Sequence, residues 1–241
     1  MRWSASKSLS LVLLALGPAG AAAAEPALPT YTAVYRVQYN GRDAGTSEFS
    51  VSYDAAREVY TFRSRTTVKG LMLRLASPNP IVEHSEFVVR GGHIQPLVFR
   101  YEDGSRKAED NFRAVFDWEA GTALIEGSAR AEIDLVPGVL DRGSMQVAVM
   151  RDMAAGKRLG PYLLADEDSL KTYEYTLLGG EHLQTPLGEL ATLRYRQQRQ
   201  GSSRSLALWA APALQYLPAR IEQRRGDETR AVFILESVQG L

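Results

Sequence analysis

The sequence predicts a mainly β protein, an antiparallel β-barrel or strongly curved half-barrel carrying one amphipathic helix at about 140–155. Three observations predict it. Apolar residues recur at every second position from Tyr31 onward, turn residues separate the runs, and one stretch, 136–160, changes to helical spacing. Short alternating runs mark half-buried strands, and a parallel α/β sheet would need helices between them that are missing.

In "YTAVYRVQYN" the residues Tyr31, Ala33, Tyr35, Val37 and Tyr39 are apolar or aromatic. Asn40-Gly41 follows, a dipeptide that tolerates the positive φ of a tight hairpin turn. Residues 46–54 alternate through Phe49, Val51 and Tyr53, and 58–70 supply a third strand. Shorter runs come at 85–89, 95–101, 111–118 and 122–127, parted by Gly91-Gly92, Asp103-Gly104 and Ala120-Gly121. Then "VPGVLDRGSMQVAVMRDMAAGKRLG" sets Met145, Ala148, Val149 and Met153 at helical spacing. Asp141 or Ser144 can accept from the free amides of its first turn, and Gly156 can end it in the left-handed conformation. With one apolar stripe the helix should lie against the sheet. Further strands are expected at 171–178, 187–198, 203–209, 219–224 and 229–238. Within "LALWAAPALQYLPARIE" a strand through Leu206, Leu208 and Trp209 stops at Ala210-Ala211-Pro212. Pro218 begins the next strand, where a missing N–H is tolerated.

The N-terminus reads as an address. Arg2 and Lys7 precede an apolar run, "LSLVLLAL", then Gly17-Pro18 and four alanines ending at Ala24. This is the pattern of a secretory signal peptide covering 1–24, too short in its apolar part to span a bilayer. An uncleaved anchor is the rival reading. The expected mature protein is periplasmic, with an extended lead-in at 25–30 and one domain over 31–241. The chain has no cysteine, which excludes a lipoprotein anchor and any disulfide. Its 28 Lys and Arg balance 28 Asp and Glu, so no overall field gathers nucleic acid. No later stretch is apolar enough for a transmembrane helix.

Three short motifs carry a family likeness. "LDRGSMQVAVMR" sets Asp141 three residues before Ser144 and ends in Arg151. The run "GGEHLQTPLGELATLRYR" bends through Thr185, Pro186 and Gly188. The third is a strand with Trp209, a short turn and a Leu-Pro-x-Arg strand through Pro218. In these the mature chain resembles the bacterial envelope family called domain of unknown function 3108. The resemblance implies a secreted or periplasmic, mostly β protein without established activity. It also implies an Asp near position 212, where this chain has Ala211-Pro212-Ala213.

Signals for chemistry are sparse. His84, His93 and His182 are scattered, "ADEDS" lacks the glycine and terminal Glu of a calcium loop, and no metal or cofactor is expected. No Gly-x-Ser-x-Gly elbow is present, which disfavours a hydrolase. Glu126, Glu132 and Asp134 would act on sugars only as facing pairs at a barrel mouth. Arg63, Arg65 and Lys69 share one strand side, as do Arg194 and Arg196; turned into a groove they would bind phosphate or carboxylate head groups, turned outward they are a solvated face. The apolar loop Leu71, Met72, Leu73 and Leu75 either closes the core or offers a hydrophobic entry or docking patch. The leading expectation is a non-enzymatic protein binding an amphiphile in a barrel cavity, gated by that loop and by Met145 and Val149. The alternative is a packed barrel that docks an envelope protein partner.

Overall fold

The computed structural model describes residues 28–241; the signal-peptide reading and most of the lead-in lie outside them. Strands β1 (Tyr31–Tyr39), β2 (Arg42–Asp54) and β3 (Val59–Val68) lead to a short helix α1 (Leu71–Ala76). Next come β4 (Ile81–Arg90), β5 (His93–Glu102), β6 (Phe112–Asp117), β7 (Thr122–Glu126) and β8 (Arg130–Asp134). A two-residue β9 (Val139–Leu140), helix α2 (Arg142–Ala154) and β10 (Tyr162–Asp166) follow. The chain closes with β11 (Ser169–Thr185), β12 (Gly188–Arg199), β13 (Arg204–Ala211), β14 (Leu217–Arg225) and β15 (Glu228–Gln239).

All fifteen strands of the described residues join one sheet in the order β8 to β1, then β15 to β9. The first and last strands therefore pair at its centre, and each half of the chain meanders outward from them. The sheet is not closed but strongly curved, a half-barrel with β8 and β9 at its edges. Every pairing is antiparallel except β9 with β10, where Val139 and Leu140 lie opposite Leu163 and Leu164. A parallel pair needs a crossover, and α2 is that crossover, laid on the concave face. Gly45 lets β2 bend beside β3: its φ is 143°, and a Cβ there would stand 2.0 Å from the Thr67 carbonyl oxygen.

The concave side is filled. Met145, Val147, Ala148, Val149, Met150 and Met153 of α2 share one buried cluster with Tyr35, Phe49, Phe62, Phe87, Leu164 and Leu235. A second cluster joins Phe99, Phe112, Phe116 and Ile125 of the far wall to Val139 and Ala165. Strands β9 and β10 straddle both: Leu140 and Leu164 face the first cluster, Val139 and Ala165 the second. A strand buried on both faces has no polar alternation, which is why neither is visible as period two in the sequence.

Two expectations are corrected here. Residues 71–75 are a helical turn rather than an irregular loop. Met145 and Val149 pack in the core and do not stand at an opening, because the crossover turns their stripe onto the sheet. Among the described residues no helix is long and apolar enough to cross a membrane.

Candidate functional site

The start of α2 gathers the densest polar contacts. Asp141 caps the helix by accepting from the Ser144 amide at 2.8 Å, while Ser144 Oγ accepts from the Asp141 amide at 2.9 Å. Ser85 of β4 donates its hydroxyl to Asp141 Oδ2 at 2.7 Å. Asp141, Ser144 and Ser85 are all 0% exposed. Burial pushes the Asp141 carboxyl up to about 6, against the hydrogen bonds that favour its charged form. Gly143 sits so close to the sheet that a Cβ would meet Phe62 at 2.6 Å and Ser85 at 2.7 Å.

Arg142 extends the cluster outward. Its Nε and Nη2 donate to Asp166 Oδ1 at 3.0 and 2.6 Å, and Nη2 also donates to Glu167 at 3.2 Å. Glu83 of β4 lies 3.8 Å from Nη1. The guanidinium also stands 5.2 Å from the ring centres of Tyr101 and Phe112. Lys171 adds a second cation 3.7 Å from Asp166. Burial raises the Glu83 carboxyl above the usual carboxylate range, with Arg142 opposing the shift. The network ties α2, β4 and β10 together, so its evident work is to hold the crossover to both walls. Sequence reasoning found Asp141 and Ser144 by their capping spacing, and missed Arg142, Glu83, Asp166 and Ser85. Nothing local marks Glu83, Asp166 and Ser85, which lie on distant strands, and Arg142 in the first turn of α2 carries no capping signature of its own.

The other singled-out residues are structural or outward-facing. Arg151 donates to the Gly92 carbonyl at 2.9 Å and so anchors the last turn of α2. Thr185 donates to the Gly188 carbonyl at 2.8 Å and accepts from the Leu187 amide, closing the bend that Pro186 enters. Pro218 is buried, and its carbonyl accepts from the Tyr35 hydroxyl at 2.9 Å. Trp209 lies on the convex face, where Arg194 and Arg220 stand 4.7 and 5.5 Å from its ring and its indole N–H donates to Glu181. Arg63, Arg65 and Arg196 are exposed on that same convex face. The groove reading of the four arginines is thus corrected: on β3 and β12 it is the neighbouring Phe62, Ser64 and Tyr195 that point inward. Glu126, Glu132 and Asp134 are likewise exposed and line no mouth. His84 pairs with Glu86 and His182 with Glu189, and among the described residues no His, Asp and Glu side chains group as metal ligands.

Several large apolar side chains are exposed on α1 and along the β11–β12 hairpin. Leu71 is 75% and Leu75 60% exposed, one turn apart on α1, and Leu73 is half-buried between them. Leu177, Leu178 and Leu187 are exposed on the β11–β12 hairpin. Two surface concavities lie near these elements. One of about 310 Å³ lies beneath α1 between Lys69, Arg74 and Asn79; one of about 300 Å³ lies between His182, Thr192 and Pro212.

The model of a protein family of unknown function, DUF3108, matches residues 34–233. The chain belongs to that family. DUF3108 thus covers the whole sheet apart from the first residues of β1 and the last of β15. No curated protein matches the chain in sequence. Among solved structures it is similar to a β-barrel-like protein of another domain of unknown function, DUF1849, from Brucella abortus. That match has 11% identity and a TM-score of 0.55, and covers 89% of this chain and 98% of the other. The likeness shows a shared fold. Weaker matches are a putative lipoprotein from Parabacteroides distasonis, at 10% identity and TM-score 0.34 over 88% of this chain and 95% of the other, and MucB. The latter has 9% identity and TM-score 0.35, over 88% of this chain and 53% of its own.

Proposed function

We propose that this DUF3108 member is a non-catalytic envelope protein, exported to the periplasm, that works through contacts of its outer surface. One observation carries the reading: α2 fills the concave side of the half-barrel, the space in which a carrier of this shape would hold a ligand. Tyr35, Phe62, Phe87, Met150 and Leu164 are all at most 2% exposed there. The amphiphile-in-cavity expectation gives way on that ground to the packed alternative. Export is supported by the leader in 1–24, with its cations, short apolar run and small residues before Ala24.

Native mass spectrometry on detergent-free protein from its own periplasm tests the reading. The expected result is the mass of the chain beginning at Glu25 with nothing bound. A stoichiometric mass that organic solvent extracts would overturn it in favour of a carrier. Deleting residues 1–24 should leave the protein in the cytoplasm; export of the shortened chain would refute the address.

A further inference from the structure

We infer that α1 and the convex face beside it form a contact site for an anionic lipid bilayer, with Leu71 and Leu75 entering the headgroup boundary. Arg63, Arg65, Lys69 and Arg74 would then lie over lipid phosphates. The inference rests on the surface-contact reading above and names the surface.

Charge is unevenly placed along the sequence. Acids and bases balance over the whole chain, yet from Val59 to Val82 there is no Asp or Glu while four cations occur. The fold then strings these cations along β3 and onto α1. Arg63 and Arg65 are exposed on the convex side of β3, Lys69 follows the end of that strand, and Arg74 sits in the last turn of α1. Arg63, Arg65 and Arg74 form no ion pair among the described residues, and Lys69 reaches only Asp43, at 3.5 Å, with both side chains more than half exposed. The acids nearest on that face are Glu48 opposite Arg65, Glu86 opposite Thr61 and already paired with Arg57, and Glu102 opposite Val82. Arg63 has only Ser50 and His84 across from it, and all four cations keep exposed head groups that an outside anion can reach.

The tip at α1 is itself apolar. Leu71 and Leu75 are the two most exposed large apolar side chains among the described residues. The turn that bears them is ordered: Arg74 and Ser77 amides donate to the Gly70 and Leu73 carbonyls at 3.0 and 2.8 Å. Ser77 Oγ donates to the Asn79 carbonyl at 3.1 Å, and the Asn79 amide donates to the Gly104 carbonyl, pinning the loop to the β5–β6 connection. A braced convex tip with a small apolar cap suits insertion into a deformable surface better than a fitted protein pocket. Two leucines alone bind a membrane marginally, and adjacent cations supply the second signal that makes binding specific for anionic lipid.

Co-sedimentation of the mature chain with vesicles tests this. Vesicles of phosphatidylethanolamine with phosphatidylglycerol should bind roughly tenfold or more tightly than phosphatidylcholine vesicles, and added salt should erase the difference. Leu71→Ser with Leu75→Ser should abolish binding without changing the melting temperature. Arg63→Gln with Arg65→Gln should remove the preference for anionic lipid. Equal binding to both vesicles, or variants that bind as the parent does, would overturn the inference. Retention on neither vesicle would overturn it too, leaving the tip to a protein partner and the surface-contact reading intact. A solvent-extractable amphiphile in native mass spectrometry would sink that reading instead, whatever the vesicles show.

Discussion

Asp141 has no contact with solvent, and its carboxyl titrates near 6 because burial penalises its charge. The folded pKa stands above the unfolded one, so the folded state binds the extra proton between about pH 4 and 6. Stability from this group is therefore gained as pH falls through that window and is lost above it. Asp141→Asn keeps an oxygen to accept from Ser144 and removes the titration. In urea melts, wild type minus Asp141→Asn stability should grow by about 2 kcal/mol from pH 7.5 to pH 4. A difference independent of pH would refute the buried-charge account. Arg142→Ala leaves Asp166 deeply buried with only Lys171 and the Tyr173 hydroxyl near it. Removing one partner of such a pair should cost roughly 3 kcal/mol, read as a lower urea midpoint. Asp141 was legible in the sequence because capping is local. Its partner Ser85 was not, being 56 residues away.

At the scale of elements, α2 was legible by its spacing and cap, and its use as a crossover was not. Gly143 marks the closest approach of that helix to the sheet. Gly143→Ala should improve helix propensity yet destabilise the protein by roughly 1–3 kcal/mol, since the new methyl collides with Phe62 and Ser85. Thermal melting decides the sign, and a stabilised variant would mean that the contact relaxes freely. The β11–β12 hairpin runs beyond its neighbours: β10 pairs only as far as Tyr173, and β13 reaches no further along β12 than Leu193. Glu181 on this projection is held by Trp209. Trp209→Phe should cost roughly 1–2 kcal/mol and raise amide exchange in residues 179–192 more than in β1 or β15. Uniform exchange would show that the tryptophan does not brace the ribbon. Helix α1 escaped sequence reasoning because six residues carry too little periodicity, and Ser-Pro-Asn-Pro behind them reads as irregular chain.

Across the whole molecule, the edges of the half-barrel are bound by packing rather than by a closed ladder. Strand β9 sets Val139 against one core cluster and Leu140 against the other, so neither half of the sheet buries its apolar face alone. Calorimetry should accordingly give one transition whose van't Hoff and calorimetric enthalpies agree, the mark of a single cooperative unit. Two separated transitions would divide the chain into two units.

The sequence by itself determined a β-rich chain with one helix, the strands bearing one polar face, and the capping and turn residues. Each of these is a local relation within a few residues. Only the tertiary structure decided that the sheet stays open, that α2 fills its concave side, and that four arginines face outward. Those outcomes depend on which distant strands meet. A period of two tells that one face is buried without telling which side of a curved sheet it faces.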